Sequence, residues 1–345
     1  MKFSFLNNAP DHAKSAEAKK NPADTQRQAT AVTMRSLSFW LVDVFAREPM
    51  SGNGLSVFLL DQKLPANAMQ RITREMRQFE TIFLHRINQS SRFEARIFTM
   101  EEELPFAGHP VIGAAALLHS RFYSNEEVAK FEFVMRDRAV EAVSRRQDAV
   151  HVAEMDQGIA SFEPPIPEGK NEIFSRALNL SIADLEPDLP LQVVSTGLPY
   201  LIVPIRSGLG HSRIIAPDFE ALLATVGAKF VYVFQTDRLE GRTWDNDGRV
   251  EDIATGSAAG PAAAYLVRHG RAASGENIVL AQGRFQNRPS ELHATIQGDS
   301  ELRVTVKGQV CQVGNGALSL PDISLRPDAS EAAFAETGVR SREQI

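Results

Sequence analysis

The chain has 345 residues, enough for two domains at the usual 100–200 residues each, with 43% hydrophobic and 23% charged residues, so a sizeable core can be buried. A formal net charge of −6, with no zinc-finger spacing, basic heptad helix or aromatic RNA-binding signature, argues against a nucleic-acid partner. A single cysteine, Cys311, rules out an intrachain disulfide and a multi-cysteine metal site and suits a reducing cytoplasm. No apolar run approaches the roughly 18 residues of a membrane span, so a cytoplasmic protein without a membrane partner is expected.

Residues 1–37 are polar and lack a sustained apolar period, which predicts a disordered extension outside the fold. From Ser38 the texture changes, and FWLVDVF reads as a strand covered on both faces. The chain turns at EPMSGNG and resumes as the strand LSVFLL. A helix is predicted from Pro65 to Arg77, with proline at its first position and Met69, Ile72 and Met76 sharing one face. QFETIFLHRI and RFEARIFT follow, the second alternating as a strand with one wet face. KFEFVM, AVEAV and AVHVAEM read as an antiparallel meander, and Pro164, Pro165 and Pro167 mark a linker.

The second half repeats the plan. VVSTGLPYLIVPI resembles SGNGLSVFLL with Gly197 on Gly54, an offset of 143 positions. A helix near Phe219 to Thr225 and the strand KFVYVFQ follow, then strands near Ile278–Ala281, Leu292–Ile296, Leu302–Val306 and Cys311–Leu318. Two further stretches match each other, FAGHPVIGAAALL and ATGSAAGPAAAYL, with Gly108 on Gly256 at an offset of 148. The similar offsets argue for two copies of one architecture, domains over 38–160 and 161–320, ahead of a loose tail at 321–345. Each Ala-rich stretch reads as a tight turn opening into a buried helix. The first turn of such a helix has unpaired N–H groups and a partial charge of roughly +0.5. Two of them facing one cleft would grip an anion from both sides.

Four polar residues stand where chemistry could use them. Glu80 is flanked by Phe79, Ile82 and Phe83, and a carboxylate partly withdrawn from water is a better proton acceptor near neutral pH. An arbitrary glutamate is more often on a wet strand face. His109, at the start of the first Ala-rich helix, could as a neutral imidazole donate through one nitrogen and accept through the other, or merely cap. Asp252 precedes the ATGS turn, where it could bind a substrate group or hold the turn by accepting backbone N–H bonds. Ser257 at a helix start is by itself more often a cap than a catalyst. The remaining histidines have no partners at metal-ligand spacing. SGNGLS opens a strand and lacks a following lysine, so it is no phosphate loop.

Together, SGNGLSVFLLD, FETIFL, ELPFAGHP, EDIATGSAAGPAAAYL and AQGRFQNRPSEL resemble the PhzF family of phenazine biosynthesis, from about Phe39 to Leu318. The resemblance implies an α/β (α+β) diaminopimelate epimerase-like fold, in which two similar domains each wrap a sheet around a central helix. It also implies a homodimer, no cofactor or metal, and a small carboxylate-bearing substrate between the lobes. The implied activity is an isomerisation like that of trans-2,3-dihydro-3-hydroxyanthranilate, shifting a proton and a double bond. By the same resemblance Glu80 is the acid/base, His109, Asp252 and Ser257 complete the catalytic set, and Gly108, Gly256, Asn53 and Gln282 bind substrate. Gly54 and Ile253 stand where the family usually has proline, which bears on substrate more than on activity. One cysteine excludes a two-thiol racemase. A non-catalytic carboxylate binder on the same fold, or an epimerase or dehydratase of an amino or hydroxy acid, are the alternatives.

Overall fold

A computed structural model describes residues 34–88, 90–148 and 150–321. The first lobe comprises β1 (Met34–Val44), β2 (Asn53–Leu60), α1 (Ala66–Met76), β3 (Glu80–Arg86), β4 (Arg92–Phe98), β5 (Glu103–Leu104), α2 (Gly108–Phe122), β6 (Val128–Val134), β7 (Ala139–Gln147) and β8 (Val150–Ile159). The second comprises β9 (Ser161–Phe162), α3 (Asn171–Ala177), β10 (Gln192–Ser195), β11 (Pro199–Ile205), α4 (Phe219–Ala224), β12 (Phe230–Gln235), β13 (Glu240–Arg242), α5 (Gly256–Arg268), β14 (Asn277–Gln282) and β15 (Ser290–Gln297). A last strand, β16 (Arg303–Pro321), serves both.

Strands β1, β2, β3, β4, β6, β7, β8 and β16 lie side by side in that order, and β16 also pairs with β1, so the sheet closes around α2. From β16 the sheet continues through β15, β14, β13, β12, β11 and β10 to β9, which surrounds α5. The repeat is visible in the pairing: β2 and β3 run parallel with α1 as crossover, as do β11 and β12 with α4. Both central helices are apolar on every side because strands surround them, so Val111, Ile112 and Ala114–Leu118 of α2 and Ala262–Leu266 of α5 are all buried. Alanine keeps those helices slim. One apolar core runs through both lobes, with satellite cores under α3 and α4 and beneath α1.

Two expectations need correction. The first strand starts at Met34, so residues 34–37 belong to the fold. Leu37 and Phe39 pack with Leu318 and Leu320 against the cluster of Phe58, Met69 and Phe83; the β1–β2 pairing sets Phe39 opposite Phe58, and the antiparallel β1–β16 pairing sets Leu37 opposite Leu318. Residues 1–33 and 322–345, and the disorder expected there, lie outside the described residues. The two short strands expected at 302–306 and 311–318 are one strand, β16. Its middle, Gly308, admits the ring of Phe45: a Cβ placed there would stand 2.3 Å from Phe45 Cδ1. Along β16, β15 pairs with Arg303–Lys307, β8 with Arg303–Val310 and β1 with Val310–Pro321, so one strand belongs to both lobes.

Candidate active site

The two Ala-rich helices start beside each other. A Cβ placed on Gly256, the first residue of α5, would lie 3.7 Å from the backbone nitrogen of His109 at the start of α2. The residues preceding them, Ala107 and Thr255, make no side-chain cap to either helix, so the first N–H groups of both are uncapped by side chains where the lobes meet. Two positive helix ends in one place favour an anion there.

Glu80 is the first residue of β3, set by the parallel pairing of Leu55 with Glu80, and it is 5% exposed. His109, also 5% exposed, places Nδ1 3.0 Å from Glu80 Oε2. The approach is too oblique for a hydrogen bond, and Glu80 Oε2 and His109 Nε2 are buried polar atoms without a hydrogen-bond partner. The flanking Phe79 ring lies 6.5 Å from the imidazole. Each of the two side chains therefore keeps a buried polar atom without a hydrogen-bond partner, available to a third group.

Across the seam, Asp252 heads a tightly tied turn. Its Oδ1 accepts from Asn53 Nδ2 at 2.9 Å and from the Ala254 N–H at 3.4 Å, while Oδ2 accepts from the Thr255 hydroxyl. Asn53 Nδ2 also donates to the Ala254 carbonyl at 3.0 Å. Gln282 donates to the Asp252 carbonyl at 2.8 Å and the Thr255 hydroxyl at 3.0 Å and accepts from the Thr255 N–H at 3.3 Å. Both amides of Asn53 and Gln282 therefore hold the turn, and Asn53 Oδ1 is the one of their oxygens left without a partner. Upstream, Glu251 is gripped by both arms of Arg242 at 2.8 and 2.6 Å, and Arg242 also donates to the Leu209 and Ser212 carbonyls. Burial pushes the Asp252 carboxyl above its ordinary range, against the lowering effects of the Thr255 hydroxyl and the nearby His109, and Glu80 pushes it further up. Glu80, His109 and Asp252 thus share one electrostatic neighbourhood.

Ser257, second in α5, has its Oγ 2.8 Å from the hydroxyl of Tyr200, a residue 4% exposed on β11. Gln157 on β8 donates to the Gly256 carbonyl at 2.9 Å and accepts from the Thr196 hydroxyl at 3.0 Å, tying the first lobe to the mouth of α5. Tyr200 and Gln157 were missed by sequence reasoning. Their signals were faint: a tyrosine within the aliphatic run LPYLIVPI, and a glutamine on the face of β8 that Ala153 and Met155 bury.

Twin sheet-wrapped helices meeting at a seam define an epimerase-like isomerase fold. It is shared with a hydroxyproline epimerase from Agrobacterium vitis, at 16% identity and a TM-score of 0.55 over 84% of this chain and 94% of that one. The model of the phenazine biosynthesis-like protein family (PhzC-PhzF) matches residues 42–316, and the chain belongs to that family. A trans-2,3-dihydro-3-hydroxyanthranilate isomerase of Pseudomonas chlororaphis is 34% identical over 81% of this chain and 98% of that protein. An uncharacterised isomerase of Escherichia coli K12 is 29% identical over 77% and 93%. The solved structure of a predicted epimerase from Pseudomonas aeruginosa is 47% identical, with a TM-score of 0.77 over 82% of this chain and 99% of that one. The chain is accordingly an isomerase of the PhzF type.

Proposed function

We propose that the protein moves a proton, and with it a double bond, within a small cyclic carboxylate of the trans-2,3-dihydro-3-hydroxyanthranilate kind, without a cofactor. The observation that carries this reading is the buried Glu80–His109 pair, 3.0 Å apart beside the meeting point of two helix N-termini. The Glu80 carboxylate takes a proton from an sp³ carbon, and the C–H electron pair becomes a new C=C. The former double bond shifts and its far carbon takes the proton back from the carboxyl. The helix N–H groups hold the substrate carboxylate and stabilise the charge that develops as the carbon is deprotonated. His109, with Nε2 unpartnered, donates to a substrate oxygen or nitrogen, and Asp252 beside it helps orient the substrate's polar groups.

Replacing Glu80 by Gln preserves the shape and removes the base. With trans-2,3-dihydro-3-hydroxyanthranilate as substrate, kcat should fall by about 10³-fold or more, and heavy-water runs of the parent enzyme should place deuterium at the receiving carbon. Turnover by Glu80→Gln within a few fold of the parent sinks the assignment. The 47% identical predicted epimerase favours one second reading, in which the proton returns to the carbon it left with inverted configuration. The same heavy-water product separates the two, since deuterium at the original stereocentre with an unmoved double bond means epimerisation.

A further inference from the structure

Ser257 reaches the site with a hydroxyl that is free to rotate, and a rotating donor recognises an anion poorly. Tyr200 addresses that. Its ring is packed beside Phe230, centroids 5.5 Å apart, and its hydroxyl lies 2.8 Å from Ser257 Oγ. Among the described residues, Ser257 is the one side chain within hydrogen-bond reach of that hydroxyl.

Burial holds the Tyr200 phenol well above its ordinary pKa, opposed only by the Ser257 hydrogen bond, and the charges of Asp252 and Glu80 push it further up. The group therefore stays O–H at any working pH; by distance alone either oxygen can donate, and a buried phenol with one side-chain acceptor in reach is satisfied when it donates. A Ser257 Oγ that accepts this bond has one lone pair filled and its own proton turned away from Tyr200. The same β10–β11 turn is tied a second time to the start of α5, through Thr196, Gln157 and the Gly256 carbonyl. The phenol and the helix mouth consequently hold a fixed relation.

We propose that Tyr200 is a positioning residue that locks Ser257 as a directed hydrogen-bond donor to the substrate carboxylate, an assignment that rests on the small-carboxylate reading of the site. It acts through Ser257 and touches no reacting atom. Selectivity for a carboxylate over the uncharged carboxamide then depends on both residues as one unit.

The test pairs turnover with binding. With trans-2,3-dihydro-3-hydroxyanthranilate, Tyr200→Phe should lower kcat/KM about tenfold to a hundredfold, Ser257→Ala should lower it similarly, and the double variant should lose no more than the worse single. In fluorescence titrations with 2-aminobenzoate and 2-aminobenzamide, Tyr200→Phe should weaken the acid about tenfold and leave the amide unchanged. A ring that only packs would weaken both alike or neither. Absence of a selective loss on both readouts overturns the assignment, as does a multiplicative loss in the double variant. A parent chain that discriminates acid from amide through Tyr200, yet does not isomerise the dihydro acid, removes the isomerase reading and leaves the role of Tyr200 standing.

Discussion

Asp252 shows how closely recognition and stability are tied at single residues. Its carboxyl titrates above the ordinary 3.8 because burial disfavours the charged form. A raised folded-state pKa means that the group's favourable contribution is fully present below the unfolded value and lost as pH rises through the folded one. Asp252→Asn cannot lose a proton. Its NH2 group cannot accept, so it forfeits the donors on one carboxylate oxygen, either Asn53 and the Ala254 N–H on Oδ1 or the Thr255 hydroxyl on Oδ2, and its stability at low pH should be below that of the parent. The difference in Tm, variant minus parent, should nevertheless climb as pH rises from about 4 and level off above the folded pKa. Thermal melts across that range check it, and a difference that falls with pH contradicts the burial argument. Glu80, His109 and Asp252, which the structure brings into one electrostatic neighbourhood, were singled out in the sequence by the family-like motifs they lie in, while their immediate neighbours alone left a wet strand face, a cap and a turn-holding role open. Tyr200 and Gln157 were not, since they act through hydrogen bonds to residues 39, 57 and 99 positions away, and no local pattern encodes such a partner.

At the level of elements, α5 sets two effects against each other at Gly260. Alanine is the better helix former by about 1 kcal/mol. A Cβ at this position, however, would stand 2.0 Å from Gln157 Oε1 and 2.8 Å from Val304 Cγ1. Gln157 would have to leave, and with it the bonds to Thr196 and to the Gly256 carbonyl. Overpacking of a tight core costs about 1–3 kcal/mol, so Gly260→Ala should lower the urea midpoint despite its propensity. A midpoint that rises means that Gln157 relocates freely. The central helices were legible because their surroundings demand small apolar residues throughout, a texture that few other positions share. The span of α1 was legible from its amphipathic period, and it runs from Ala66 to Met76. Strand β16 was not, because Gly308, Gly314 and Gly316 interrupt its alternation, and its length is set by three different partners rather than by its own residues.

For the molecule as a whole, the question is whether two lobes of this size unfold as two units, as separate domains of a long chain often do. The seam argues that they do not. Strand β16 pairs with β1 and β8 on one side of the molecule and β15 on the other, and the apolar core passes between the lobes without interruption. Arg288 of the second lobe donates to Asp43 at 2.6 Å, to the Ser51 carbonyl at 2.8 Å and to the Gly52 carbonyl at 2.7 Å in the first. That clamp fixes the strand start that carries Asn53, and so reaches the Asp252 turn. The chain's two tryptophans report on opposite sides of the seam, Trp40 on β1 and Trp244 in the second lobe's satellite core. In Trp244→Phe and Trp40→Phe variants, each with one remaining indole, the urea midpoint from fluorescence should therefore coincide within about 0.2 M with that from far-ultraviolet circular dichroism of the same variant. Midpoints well apart would mean that the lobes fold independently. The seam would then be a hinge, and the 3.0 Å Glu80–His109 pair would be held by the first lobe alone while Asp252, Ser257 and Tyr200 move with the second.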